Sequence, residues 1–325
     1  MSFLKKLAMT WNSLRRLIEL NDSFLISSHL SLDGDCIGSQ LSFYWYLTSL
    51  GKKVVIYNHD HVPPKFIFLR DADVMQTELP DETFDVLVVL DCSNLTRLGW
   101  DAEKFSGGPL INIDHHRDNS SFGTVNIVDV NAAATGEIIS HFFDEEKIVY
   151  PPAVAEALYT AVLTDTGGFR FPNTTSALLH VCANLAEKGA SPPKIYEKVY
   201  ASHSQAGLLL QSRIWSSLKF YFNGRVCCLE MPMAVLDDLG ALYSDSEGMV
   251  DITTTAAGVQ VGIMSKHTDS ETHFSLRSKG AVDVGRIAQK IIGGGGHSSA
   301  AGCTLRLPFD QAIAAMLAIV EQELR

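Results

Sequence analysis

Carboxylates and imidazoles cluster along the first half of this 325-residue chain. The run HLSLDGD places His29, Asp33 and Asp35 just after an apolar run, and Gly34 lets the backbone turn tightly between the two carboxylates. The run INIDHH ends on Asp114, His115 and His116, and a loop has no structural need for two imidazoles beside a carboxylate. Asp91 closes VLVVLD, and Asp165 closes the apolar helical pattern LYTAVLTD before Gly167 and Gly168. A strand-end aspartate alone reads as an ordinary helix cap. A carboxylate at a helix C-terminus does not, because the macrodipole there is already negative and a nearby cation resolves the conflict.

Four separate element ends thus offer His29, Asp33, Asp35, Asp91, His115 and Asp165. Hard oxygens with some imidazole suit Mn²⁺ or Mg²⁺, and no cysteine enters the set, which argues against a structural zinc site. Six ligands are too many for one cation that keeps positions open for substrate. They suit two divalent cations ~4 Å apart that share one bridging carboxylate, an arrangement that hydrolyses phosphoesters with a metal-activated water. A second constellation lies near the C-terminus, in GGGGHSSAAG. Gly293, Gly294, Gly295 and Gly296 can expose successive backbone N–H groups to an anion, His297 adds a side-chain donor, and Arg277 can pair a phosphate bidentately. Four glycines in a row cost more conformational entropy than a plain turn requires. Arg97, near a strand end, is a weaker candidate for substrate binding.

The elements that must position these groups follow from hydrophobic periodicity. Short apolar runs over 24–28, 53–57, 86–90 and 110–113 read as buried parallel strands, with an amphipathic helix over 37–50. The fold expected is α/β, an N-terminal doubly wound, mainly parallel sheet followed by a smaller C-terminal α/β domain carrying the glycine-rich loop. Helical patterns cover 135–145, 153–163, 175–189 and 204–220, with Pro192 and Pro193 as punctuation. Domains are therefore expected over 1–190 and 223–325, joined by a helical linker over 191–222. Strands over 225–230, 259–264 and 273–276 and a last helix over 309–324 complete the second domain. The N-terminal segment reads as an amphipathic surface helix, since Asn12, Arg15 and Arg16 interrupt its apolar run.

The composition narrows the partners. At 46% hydrophobic and 19% charged the chain can build two cores, and no stretch approaches the ~20 apolar residues of a membrane span. The six cysteines form no CxxC pair, which points away from disulfides and toward the cytoplasm. A net charge of −11 with no basic stripe disfavours an enzyme that tracks long nucleic acids and favours small phosphate-bearing substrates.

Asp114, His115 and His116 resemble the name-giving motif of the DHH phosphoesterase family. HLSLDGDCIGS resembles its first motif, VVLDCSNLTRLG its second and LTDTGGFRF its fourth, while GGGGHSSAAG with SLRSKG resembles the DHH-associated C-terminal domain. The resemblance covers nearly the whole chain, with the motifs in order, and is greatest to the stand-alone branch that degrades nanoRNA and phosphoadenosine phosphate. It implies that His29 and Asp33 hold one cation, that Asp35, His115 and Asp165 hold the other, and that Asp91 bridges them. His116 would face the substrate phosphate and Asp114 would orient the histidines. It also implies Mn²⁺ first and Mg²⁺ second as cofactor. Short RNA oligonucleotides, linear dinucleotides such as pApA and 3′-phosphoadenosine 5′-phosphate are the implied substrates, their far phosphate gripped by the C-terminal domain. One departure is Leu32, where the family commonly has proline, and it would loosen the loop. Two alternatives stand beside this reading. The acidic charge disfavours a RecJ-like single-strand DNA exonuclease, and the intact ligand set disfavours a non-catalytic nucleotide-binding sensor. The oligomeric state is open, a homodimer included.

Overall fold

The computed structural model describes residues 3–102, 105, 108–280, 282–296 and 298–324, with side chains from Trp11 onward. The chain divides into two compact units, Met1–Ser202 and His203–Arg325. The first holds strands β1 (Ser23–Ser27), β2 (Lys53–Tyr57), β3 (Met75–Gln76), β4 (Val86–Leu90), β5 (Leu110–Asp114) and β6 (Val125–Val128). They form one sheet in the order β3-β2-β1-β4-β5-β6, every pair parallel. β4 is buried along its whole length, as its unbroken Val and Leu run requires when both sheet faces are covered. The strand order reverses between β1 and β4, and ligands of such sheets bind at the carboxyl ends of strands beside that reversal.

Helices α1 (Phe3–Leu20), α2 (Gly34–Ser49), α3 (Thr135–Glu145), α4 (Pro152–Asp165), α5 (Ser176–Glu187) and α6 (Pro192–Tyr200) belong to this unit. Trp11, Leu14 and Ile18 of α1 enter its main core, the Trp11 ring lying 4.9 Å from that of Phe142. A smaller apolar cluster, with Leu25, Tyr57, Leu87, Val89 and Leu98, covers the other residues of the alternating strands. α2 and α4 pack backbone to backbone, since a Cβ at Gly38 would lie 2.2 Å from the Ala157 carbonyl oxygen.

The second unit carries α7 (Gln205–Trp215), β7 (Lys219–Tyr221), β8 (Val226–Pro232), α8 (Ala234–Leu239), β9 (Val261–His267), β10 (Thr272–Ser278), α9 (Val284–Gln289), β11 (Gly295–Gly296), β12 (Ala300–Leu305) and α10 (Phe309–Glu323). Its sheet runs β11-β12-β10-β9-β8-β7 and is mixed: β8 and β9 are parallel, the other pairs antiparallel. Ile287, Ala288, Ala312 and Met316 cover alternate strand residues such as Ile263, Phe274 and Leu276. Leu210, Ile214 and Val235 pack on the remaining ones, among them Leu229, Met231 and Met264.

Two expectations change. The helix over 204–220 stops at Trp215, and Lys219–Tyr221 is instead the edge strand β7, paired to β8. The linker over 191–222 is divided between the cores: Ile195 of α6 is buried in the first, Leu210 and Ile214 of α7 in the second. Each of these apolar helix faces is buried by the unit nearer to it in sequence.

Candidate metal centre

The loop leaving β1 is held at both ends. The Ser28 hydroxyl donates to the Leu90 carbonyl at 2.7 Å, and the Leu30 N–H donates to the Arg97 carbonyl at 2.7 Å. Ser31 adopts a left-handed φ of 61°, and its N–H donates to Asp60 Oδ2 at 2.6 Å. Leu32 is buried in the main core, so packing fixes the loop where a proline ring would otherwise have stiffened it. Asp33 then caps α2, its Oδ1 accepting from the N–H groups of Asp35 and Cys36, both at 3.1 Å. Asp91, the first residue past β4, is held at φ 53°, a left-handed conformation uncommon outside glycine and typical of over-determined functional positions.

These elements bring the six expected ligands together. Donor atoms of His29, Asp33 and Asp91 lie within 4.8 Å of one another, as do those of Asp35, His115 and Asp165, and those of Asp91, His115 and His116. Asp91 faces both groups with different oxygens, Oδ2 being 3.4 Å from His29 Nε2 and Oδ1 3.5 Å from His115 Nε2. His29 has its Nδ1 against the Leu30 carbonyl at 2.6 Å, and His115 its Nδ1 against the Ala132 carbonyl at 3.3 Å, so each turns Nε2 inward. Asp35 sits at the start of α3, accepting from the Thr135 and Gly136 N–H groups at 2.6 and 2.9 Å and from the Ser39 hydroxyl at 3.0 Å. His116 sets its Nδ1 2.7 Å from Asp114 Oδ1, and Asn119 donates to Asp114 Oδ2. Fully buried Asp114 is thus fixed between His116 and Asn119.

The donor set fits divalent cations. His115 Nε2 is buried without an aligned hydrogen-bond partner, although Asp165 Oδ2 lies only 3.1 Å away. Electrostatics point the same way. Burial opposes a charge on His29, but Asp91 and Asp33 raise its pKa to about 9. Burial also opposes a charge on His115, yet Asp165 and Asp91 push it far above the ordinary imidazole value. Burial lifts Asp35 well above the carboxylate range, Asp91 and Asp165 adding to the effect, and lifts Asp165 to about 6 against the pull of His115. Asp91 moves the other way: burial opposes its charge, but His115 and His29 hold it well below its usual value. The upward shifts of His29, His115, Asp35 and Asp165 all run opposite to the direction in which a cation bound at either group would move them.

One group near these ligands lies outside the set read from sequence. Cys36 Sγ is within 4.8 Å of the donor atoms of His29, Asp33 and Asp91. Its signal is the spacing from Asp33: three residues beyond a helix cap, a side chain folds back onto it, and Sγ accepts the Asp33 N–H at 3.1 Å.

In the second unit, strand register brings Arg277 and the glycine run to one level of the sheet: Arg277 pairs with Ala300, and Gly296 with neighbouring Ala301. Arg277 Nε donates to Asp251 Oδ1 at 2.9 Å and Nη1 to the Leu276 carbonyl at 3.1 Å. The glycines divide. Gly293 and Gly296 have positive φ, and a Cβ at Gly294 would lie 2.2 Å from the Ala288 carbonyl oxygen, so backbone conformation or packing already calls for these three. Gly295 opens on free space and has no such reason. His297 lies outside the described residues. Arg97 is half-buried, and what the structure gives it is the carbonyl contact that anchors the His29 loop.

Residues 23–162 match the model of the DHH family, N-terminal domain, and residues 230–325 that of the DHHA1 domain. The chain is 33% identical over 97% of its length to a bifunctional oligoribonuclease and PAP phosphatase NrnA of Thermus thermophilus, covering 95% of that protein. It is 26% identical over 89% of its length to the Bacillus subtilis protein of the same name, covering 91% of it. An exopolyphosphatase-related protein from Bacteroides fragilis superposes with a TM-score of 0.91 at 26% identity, over 97% of this chain and 96% of that one. RecJ from Thermus thermophilus in complex with Mn²⁺ shares the fold, with a TM-score of 0.51 at 12% identity over 97% of this chain and 54% of its own.

Proposed function

The chain belongs to the DHH family of phosphoesterases, and from that premise we propose that it hydrolyses short oligoribonucleotides, linear dinucleotides such as pApA, and 3′-phosphoadenosine 5′-phosphate to mononucleotides. The observation that carries the reading is Asp91, one carboxylate whose two oxygens face the two ligand groups separately. His29, Asp33 and Asp91 would hold one divalent cation and Asp35, His115, Asp165 and Asp91 the other, Mn²⁺ first and Mg²⁺ second, and these would supply Lewis acidity and lower the pKa of a water near the phosphorus. His116 holds a proton toward the substrate. Its Nδ1 is fixed on Asp114, and although burial opposes its charge, the Asp114 hydrogen bond raises its pKa, so Nε2 can donate to a phosphate oxygen as charge develops there. In the second unit Arg277 takes the remote phosphate, with Asp251 orienting its guanidinium and Gly295 leaving room for a close approach. His297 adds a further donor to that grip.

No described helix is long and apolar enough to cross a membrane, and a cytoplasmic location is part of the proposal. The test is one hydrolysis screen with Mn²⁺ over short RNAs, pApA, phosphoadenosine phosphate and a long DNA single strand. Turnover of the small substrates is expected. Turnover confined to the long strand, with a steep salt dependence, would replace this reading with an exonuclease.

A further inference from the structure

Cys36 stands where the metal reading meets a softer chemistry. It is fully buried in the first turn of α2, and its sulfur shares a space 4.8 Å across with donor atoms of His29, Asp33 and Asp91. Four side chains of three chemical types converge there: one imidazole, two carboxylates and one thiol. His29 is only 6% exposed and aims Nε2 into this space. That atom stands 3.4 Å from Asp91 Oδ2 and 3.8 Å from Asp33 Oδ2, longer than hydrogen bonds of good geometry. Asp33 divides its carboxylate, Oδ1 capping the helix and Oδ2 facing His29. The second group, Asp35, His115 and Asp165, has no sulfur.

We propose that Cys36 is a fourth donor to the cation held by His29, Asp33 and Asp91, which makes the two cation positions chemically unequal. The inference rests on the two-cation reading above. A sulfur among nitrogen and oxygen donors favours borderline-soft ions such as Co²⁺, Zn²⁺ or Cd²⁺, and a four-donor set of this size suits tetrahedral geometry. The all-oxygen-and-imidazole group is left for the harder ion. On coordination the thiol loses its proton to the buffer as the sulfur–metal bond forms, and no electron is transferred. The Asp33 N–H, 3.1 Å from Sγ, remains in place as a hydrogen-bond donor to the thiolate.

The test uses the metal alone on the full-length chain stripped by chelation. Titration with Co²⁺ should give a near-ultraviolet thiolate-to-cobalt charge-transfer band in addition to the weak visible bands of the ion. In Cys36→Ser the charge-transfer band should vanish while the visible bands persist, showing that cobalt is still held. Zn²⁺ should bind Cys36→Ser roughly 10-fold or more weakly, whereas Mn²⁺ affinity, read by electron paramagnetic resonance, should change little. The wild-type spectrum decides the matter even where the variant folds poorly. A wild type that binds Mn²⁺ and Co²⁺ without the band, or a band unchanged in Cys36→Ser, overturns this inference alone. A stripped wild type that binds neither ion overturns the two-cation reading with it.

Discussion

A carboxylate that presents one oxygen to each of two ligand groups has no substitute in the cluster, and Asp91 is the residue in that position. Asp91→Ala should therefore abolish turnover while circular dichroism stays near wild type, even though the metal-free fold loses the carboxylate that raises the His29 pKa. Even the loss of an outer partner of a ligand typically costs ~10 to 100-fold, so a variant keeping more than about a tenth of wild-type activity would remove Asp91 from the bridging role. Protonation gives a second expectation at this scale. With folded pKa values raised, to about 9 for His29 and further for His115, these imidazoles carry protons at neutral pH in the metal-free protein. Nε2 must lose its proton to bind a cation, so Mn²⁺ uptake at pH 7 should release protons and its affinity should climb as pH rises toward 9. The same sign governs stability. The contribution of the raised His29 to the metal-free fold is fully present below its unfolded pKa of ~6.5 and is lost as pH rises through about 9. Proton release measured with an indicator dye on Mn²⁺ addition checks this, and zero release at pH 7 would contradict the protonated cluster. Cys36 shows what residue types hide: a thiol in an apolar run reads as a small hydrophobe, and only the fold-back of a first helical turn onto its cap reveals it beside the ligands.

Asp35 lies in the first turn of α2 and Asp165 ends α4, both in one ligand group, so the packing of these two elements sets a distance inside the site. Gly38 controls it, because a methyl group there would meet the Ala157 carbonyl oxygen at 2.2 Å and force the helices apart. Gly38→Ala should cost ~1–3 kcal/mol in urea unfolding and weaken Mn²⁺ binding together. Unchanged stability and unchanged binding would show that the approach of α2 to α4 does not position Asp35 and Asp165. Most elements at this scale were legible in sequence, and the reason is length and continuity. β4 is apolar and buried throughout, and β1 and β2 carry shorter apolar runs, over 24–26 and 54–57, as strands of a covered parallel sheet do, while in β5 Asn112 interrupts the apolar pattern. β3 and β11 are two residues long and exist through their neighbours, the Gly295–Gly296 pair having no strand preference apart from its register on β12. The stretch after Trp215 misled because helically spaced apolar residues there serve an edge strand, and tertiary pairing outweighed local pattern. The convergence of the six carboxylate and imidazole side chains was legible because element ends beside the reversal of an α/β sheet are where such side chains gather. Why the loop tolerates Leu32 was not, since that depends on a core the sequence does not display.

Across the whole molecule the acidic cluster and the arginine-and-glycine level of the second sheet lie in separate compact units, and a division of labour between them can be measured. Arg277 is held by Asp251 at 2.9 Å and by its neighbour's carbonyl, which orders the guanidinium before any phosphate arrives and reduces the entropy lost on binding. Arg277→Ala should then lower kcat/KM strongly for a short oligonucleotide. A charge-assisted bidentate contact is worth ~2 to 3 kcal/mol, or roughly 30 to 150-fold. Part of the loss should fall on kcat, because remote binding energy can be used to orient the reacting phosphate. A minimal chromogenic phosphodiester reaches the metal cluster without a remote phosphate to be held, and on it the same variant should stay within a few-fold of wild type. Asp251→Asn supplies the intermediate case: the arginine keeps its charge but loses its ionic anchor, so the oligonucleotide should suffer less than with Arg277→Ala and the minimal substrate again little. The measurement is a set of kcat/KM ratios for three proteins on two substrates. Equal losses on both substrates would place Arg277 in the folding of the second unit rather than in substrate recognition, and the remote phosphate would need another partner.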